Sequence, residues 1–146
     1  SSQLPHQTSV MASGVKVNEE CVNKYNEIKL QKTCRYVLFK INDSNDEIVL
    51  EATGEKGASY EDFTGKLPAD DCRYAVFDFE YEQDGGLRNK LLFVVWAPDS
   101  AKLKRKMLIA SSKDAFRKQL VGIGAEIQAT DKSEVDRDAV MEKVNR

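Results

Sequence analysis

The sequence has 146 residues, of which 41% are hydrophobic and 32% charged, and its formal net charge is -2. This length suits one domain with a sizeable core, and the composition is that of a globular protein. No apolar run approaches the roughly 20 residues that cross a bilayer, and no signal peptide is apparent, so a cytoplasmic protein is expected.

The first ten residues, SSQLPHQTSV, show no helical or strand periodicity, and the run MASG that follows resembles a natural start. We therefore expect residues 1–10 to be an added, disordered leader and 11–146 to be one domain. The only histidine, His6, falls in this leader. The domain then lacks a Ser-His or Cys-His pair and the commonest metal sites, although carboxylate and lysine chemistry stay open.

Neither the glycines nor the cysteines form a familiar cofactor motif. The run GASYEDFTGK at 57–66 has the wrong glycine spacing for a phosphate loop and lacks the hydroxyl after its lysine. The cysteines Cys21, Cys34 and Cys72 are odd in number and widely spaced, which predicts reduced structural thiols. No cofactor or metal is expected.

The first half predicts a helix followed by a hairpin. Asn18 can cap a helix that runs to about Leu30. The run RYVLFKI at 35–41 is rich in strand formers, NDSND at 42–46 is typical of a turn, and 47–52 would return as the partner strand.

The next elements are a short helix and a second hairpin. Ser59 begins a capping-box pattern, so a helix is predicted from there to about Leu67. The run FDFEYE at 77–82 alternates apolar and acidic residues, as a half-buried strand does. Gly85 and its neighbours would reverse the chain, and LLFVVW at 91–96 predicts a strand covered on both faces.

Two further helices are predicted, one over the basic segment 102–118 and one from about Asp136 to Lys143. Four strands with helices before, between and after them predict an α/β sandwich, with helices on both faces of the sheet.

The basic segment, KLKRKMLIASSKDAFRK, carries seven basic residues and one acidic residue. At about 100° per residue, four of its cations fall within an arc of roughly 60° on a helix. This cationic stripe consists of Lys102, Lys106, Lys113 and Arg117. Ile109, Phe116 and Leu120 occupy the neighbouring arc and should face the core, whereas Leu103, Met107 and Leu108 lie elsewhere on the wheel.

The charge pattern alone leaves the role of this helix open. It fits a solvated face as well as a surface for an acidic protein, where Met107 among cations would suit an irregular groove. Nucleic-acid binding is disfavoured, because the chain is mildly acidic and shows no aromatic stacking platform beside the patch. KLKRK weakly matches a nuclear-localisation signal, so a nuclear location beside the cytoplasmic one stays open.

A series of short motifs resembles one family along essentially all of residues 11–146. The motifs, in chain order, are MASGV at 11–15, RYVLFK at 35–40, LPADDCRYA at 67–75, DFEY at 78–81, WAPDSA at 96–101, KM at 106–107, ASSKDA at 110–115 and QATD at 128–131. Together and in this order they are similar to the actin-depolymerising factor/cofilin family. One departure is Lys102, where the family usually has proline.

The resemblance implies an α+β fold, the actin-depolymerising factor homology domain, with a mixed, mostly antiparallel sheet between helices. It implies a non-enzymatic, monomeric protein that binds actin monomers, preferably with ADP, and actin filaments, which it severs and depolymerises. A phosphoinositide-binding module, or a relative that binds actin without severing, is the alternative. The basic helix would then dock on anionic headgroups.

The resemblance also implies two actin-binding surfaces and one regulatory site. The monomer-type surface comprises Ser13, Gly14, Val15, Lys104, Lys106, Met107, Ser112 and Lys113. The filament surface comprises Arg88, Lys90, Glu142 and Lys143. Ser13 matches the serine whose phosphorylation inactivates many members, and a phosphate there would repel acidic actin.

Overall fold

The computed structural model describes residues 9–10 and 15–144 of the chain. The helices are α1 (Glu19–Gln31), α2 (Tyr60–Gly65), α3 (Leu103–Gln119) and α4 (Arg137–Val144), with a 3-10 turn at Lys132–Val135. The strands are β1 (Ser9–Val10), β2 (Lys16–Val17), β3 (Cys34–Ile41), β4 (Glu47–Glu55), β5 (Arg73–Gln83), β6 (Gly86–Trp96) and β7 (Ala125–Ala129). This is the expected single α+β domain.

Within the described residues, the strands form one sheet in the order β1-β2-β4-β3-β5-β6-β7. The pairs β3·β4, β3·β5 and β5·β6 are antiparallel, whereas β2·β4 and β6·β7 are parallel. The sheet is therefore mixed and mostly antiparallel, as the family resemblance implies.

Local sequence explains where α1 and α2 begin and where the chain turns between β5 and β6. The Asn18 side chain accepts a hydrogen bond from the Glu20 amide at 2.9 Å, and the Ser59 hydroxyl accepts one from the Asp62 amide at 3.0 Å, so both predicted caps are confirmed. The β5–β6 turn has positive φ at both central residues, Asp84 and Gly85, which is the twist that a two-residue hairpin requires.

The central strands are covered on both faces. Tyr25 of α1 and Phe116 of α3 pack on one face, and Phe63 of α2 and Val140 of α4 pack on the other. Successive side chains of a strand point to opposite faces, so Phe93 of β6 packs on the face covered by α1 and α3, while Leu92 and Val94 pack on the face covered by α2 and α4. Consequently α3 and α4 lie on opposite sides of the sheet.

The sheet has more and longer strands than the sequence predicts: β2 was not predicted, and β4 extends to Glu55. The long hairpin is longer than expected, because β5 begins at Arg73 and β6 at Gly86. Strand β7 was not predicted, although AEIQA at 125–129 alternates in burial over its last residues. The last two residues of the predicted leader, Ser9 and Val10, pair antiparallel with β2, while residues 1–8 lie outside the described part of the chain.

Candidate functional site

The first turns of α3 present apolar side chains among cations. Leu103 and Met107 lie one turn apart and are 70% and 60% exposed, while Lys104 between them is also exposed. Lys106 is half-buried, and its Nζ donates a hydrogen bond to the Asp99 carbonyl at 3.2 Å. The helix turns Ile109 into the core, as its sequence predicts. This end of the helix can therefore offer apolar contact and positive charge to one partner.

The remaining cation of this turn, Arg105, points into the protein. Its guanidinium donates to Asp71 at 3.1 Å and to the Asn42 carbonyl at 2.8 Å. Burial would raise the pKa of Asp71, but hydrogen bonds from Arg105 and Arg73 outweigh it and hold that pKa at about 2. Arg105 thus anchors α3 and does not add to the charge that a partner meets.

The second half of α3 is tied to β7 through Glu126. The Lys113 Nζ lies 3.1 Å from one Glu126 oxygen, and the Arg117 Nε lies 3.4 Å from the other. Burial would raise the pKa of Glu126, but hydrogen bonds from Gln128 and Lys113 and the two neighbouring cations lower it. Glu126 therefore partly neutralises Lys113 and Arg117, which are two of the four residues in the cationic stripe.

Two residues of the predicted monomer-type surface are buried. Ser112 is 0% exposed and faces the sheet, and Val15 is 1% exposed within the apolar cluster beneath α1 and α3. Helical geometry explains Ser112, because it lies three residues after the core residue Ile109 and four before Phe116. Their side chains therefore point away from solvent, and the assignment of Val15 and Ser112 to the actin-binding surface stays a prediction. Ser13 and Gly14 lie outside the described residues.

The predicted filament residues lie on two elements, β6 and α4, which meet at Lys90 on the α4 side of the sheet. The Lys90 Nζ donates to the Val144 carbonyl at 3.3 Å, so the end of α4 rests against β6. Arg88 lies two residues earlier on the same strand face and is exposed. Glu142 and Lys143 are exposed on the last turn of α4. We call this group, Arg88, Lys90, Glu142 and Lys143, the hairpin surface.

We call Leu103, Lys104, Lys106, Met107 and Lys113 the α3 surface. Of these, Leu103 was not assigned to a binding role from the sequence. The helical wheel placed Leu103 outside the core-facing arc, and this position was the sequence signal that its side chain is exposed. Glu126 was also missed, because its strand was not predicted. Nothing in the sequence indicated that Arg105, alone among neighbouring cations, would turn inward.

The cysteines have the properties of structural residues. All three are buried and reduced. Burial, followed by the nearby carboxylate of Glu47, raises the pKa of Cys21 to about 12, and burial raises that of Cys72 to about 11. These thiols stay protonated at neutral pH, so they are poor nucleophiles. Among the described residues, no cluster of His, Cys, Asp or Glu could hold a metal ion, and no helix is long and apolar enough to cross a membrane.

Known proteins resemble this chain over nearly its whole length. Residues 14–145 match the family model described as cofilin/tropomyosin-type actin-binding protein. The chain is 53% identical over 134 residues to actophorin of Acanthamoeba castellanii, an alignment that spans 92% of this chain and 97% of that protein. It is 55% identical over 137 residues to a cofilin of Mycosarcoma maydis, across 93% and 98% of the two chains. A crystal structure of Streptomyces griseoflavus cofilin superposes with a TM-score of 0.86 at 50% identity, covering 91% of this chain and 98% of that one.

Proposed function

The chain belongs to the actin-depolymerising factor/cofilin family of actin-binding proteins, and from that premise we propose that it binds monomeric and filamentous actin, prefers the ADP-bound form, and severs and depolymerises filaments. The bound nucleotide belongs to actin, so the protein itself needs no phosphate loop or cofactor. Its place in the cell is then the actin cytoskeleton.

The observation that carries this proposal is the α3 surface. Single exposed apolar residues are common, as at Leu30 and Val121, but Leu103 and Met107 lie one turn apart on the same helix among cations, and such a grouping is typical of a contact site. Aliphatic side chains can fill a cleft on the partner, while lysines speed and orient encounter with an acidic protein such as actin. This apolar pair among lysines favours a contact surface over a merely solvated helix face.

Co-sedimentation and filament imaging test the proposal. We expect the full chain to pellet with filaments in a saturable manner and to leave more actin in the supernatant as its concentration rises. Fluorescent filaments watched in real time should break along their length, which separates severing from side binding alone. Monomer titrations with ADP-actin and ATP-actin should give tighter binding to the ADP form. Saturable pelleting without breaks would leave actin binding intact and refute severing.

A second candidate, phosphoinositide binding, is favoured by the exposed Lys102 and Lys104. Neither lysine has an ion pair among the described contacts, and each could contribute about 1 kcal/mol near an anionic membrane. Vesicles with and without phosphatidylinositol bisphosphate distinguish this role by flotation. We expect flotation only with the lipid, and competition by actin. Equal recovery from both vesicle types would exclude it.

Phosphorylation of Ser13 is a further proposal from the family resemblance, and this residue lies outside the described part of the chain. A phosphate adds about -1.5 to -2 charge, which would repel acidic actin. Chemically phosphorylated protein, made by ligating a phosphoserine peptide, should bind actin monomers more weakly than the same ligated protein without phosphate. Equal affinity would refute the role.

A further inference from the structure

The start of α3 is electrostatically unfavourable by itself. The amide groups at the beginning of a helix carry partial positive charge, so cations there repel the helix end. The first turn contains no acidic residue, and Lys102, Lys104, Arg105 and Lys106 surround it. The N-cap residue Lys102 also makes no side-chain capping bond. Contacts between this turn and the rest of the protein can offset that cost.

Beside the bond from Lys106 to the Asp99 carbonyl, the most extensive of these contacts is made by Arg105, whose side chain is only 14% exposed. All three guanidinium nitrogens donate hydrogen bonds. Nε bonds Asp71 at 3.1 Å, Nη1 bonds the Asn42 carbonyl at 2.8 Å and the Asn45 side chain at 2.9 Å, and Nη2 bonds the Ile41 carbonyl at 2.6 Å. One planar group therefore joins α3 to the β3–β4 turn and to the segment before β5.

Asp71 is itself held rigidly at this junction. It accepts a hydrogen bond from the Cys72 amide at 2.8 Å and one from Arg73 at 2.9 Å, and Arg73 also pairs with Glu51 of β4 at 2.7 Å. Because these bonds tie the carboxylate to β5 and β4, its own bond to Arg105 restrains the turn that carries the arginine. It also supplies the negative charge that the first turn lacks.

We propose that Arg105 is the positioning residue of the α3 surface: it does not touch actin, but fixes the first turn so that Leu103, Lys104 and Met107 project in one arrangement. This inference rests on the proposed function, because it concerns the same surface. A lysine cannot replace the arginine. The planar guanidinium spreads its N–H donors widely enough to reach acceptors on both segments at once, whereas the single ammonium group of lysine does not.

The backbone at Lys102 allows an independent way to stiffen the same turn. Its φ is -63°, which is the value that proline imposes, and its amide makes no backbone hydrogen bond among those described. The variant Lys102→Pro should therefore restrict the helix entry without any contact to Asp71. If Arg105 acts by positioning, this change should compensate for its loss.

The experiment compares the full chain with Arg105→Ala, Arg105→Lys, the double variant Arg105→Ala with Lys102→Pro, and the control Lys118→Ala. Lys118 is an exposed cation near the other end of α3, so its removal matches the charge change. Two readouts are used at a temperature where all variants are folded. One is actin-monomer affinity, and the other is amide exchange at Lys106 and Met107, measured by NMR without actin.

We expect Arg105→Ala and Arg105→Lys to speed exchange at these two amides about tenfold and to weaken actin binding by a similar factor, while the Phe116 amide and the control are unchanged. The double variant should recover most of both losses. Weaker binding with normal exchange would mean that Arg105 contacts actin and would overturn the inference, as would a fully active lysine variant. If the unchanged chain fails to bind actin, the proposed function fails, and the exchange rates alone decide the role of Arg105.

Discussion

The α3 surface and the hairpin surface are built in different ways. The first lies on one continuous helix, where residues one turn apart share a face whatever the rest of the chain does. The second needs the β5–β6 register and the docking of α4, and these meet through the bond from Lys90 to the Val144 carbonyl. The two also lie on opposite sides of the sheet. We therefore expect changes in one to leave the other intact.

The largest effect should come from the combined variant Lys104→Ala and Lys106→Ala. It removes two cations beside Met107, and binding energy at interfaces concentrates in such central residues. We expect affinity for both monomers and filaments to fall on the order of 100-fold, as measured by monomer titration and co-sedimentation.

Thermal unfolding provides the control for this variant. Lys104 is exposed, and within the described residues the Lys106 side chain donates one hydrogen bond, to the Asp99 carbonyl, so the melting temperature should change by no more than about 2 °C. Unaltered filament binding in a folded double variant would contradict the assignment of the α3 surface.

The combined variant Arg88→Ala and Lys90→Gln tests whether the hairpin surface acts separately. We expect filament affinity to fall about tenfold while monomer affinity stays the same, because the family resemblance implies that this surface contacts actin only in filaments. Pelleting and monomer titration are run on the same preparation. Arg88→Ala alone is the control for stability, since it preserves the Lys90 bond to α4. An equal loss for monomers would mean that the two surfaces are not independent.

Prediction from sequence succeeded where a local pattern determines the structure. The caps at Asn18 and Ser59 and the burial of Ile109 follow from residues close in the chain. Strand β7 and the neighbours of Lys113 do not, because Glu126 reaches α3 only after a parallel crossover from β6. The inward turn of Arg105 depends on Asp71 and the β3–β4 turn, which are distant in sequence. The helical wheel showed which face is polar but could not show which cations are paired.

The variant Glu126→Gln tests the difference between the two halves of α3, of which only the second is paired with a carboxylate of β7. It keeps the shape of the side chain but removes the charge that neutralises Lys113 and Arg117. An acidic partner should then meet a more positive helix, so we expect actin to associate about threefold faster at low salt, with the gain lost as salt is raised. Stopped-flow association rates measure this. Slower association would instead show that Glu126 holds Lys113 in a productive orientation.

The last prediction concerns stability instead of binding: it tests the anchor of α3 and is read from pH. Because the folded-state pKa of Asp71 is lowered to about 2, its ionised form stabilises the fold above its ordinary pKa near 3.8, and this contribution is lost as pH falls toward 2. At pH 6, Asp71→Asn should lower the melting temperature by about 3–6 °C, because two arginines lose their charged partner. The gap between the two melting curves should narrow between about pH 4 and pH 2. A gap that stays constant over this range would mean that the Asp71 charge does not stabilise the start of α3. The hairpin surface has no contact with Asp71 among the described residues, so filament binding through that surface should be equal in both proteins at neutral pH.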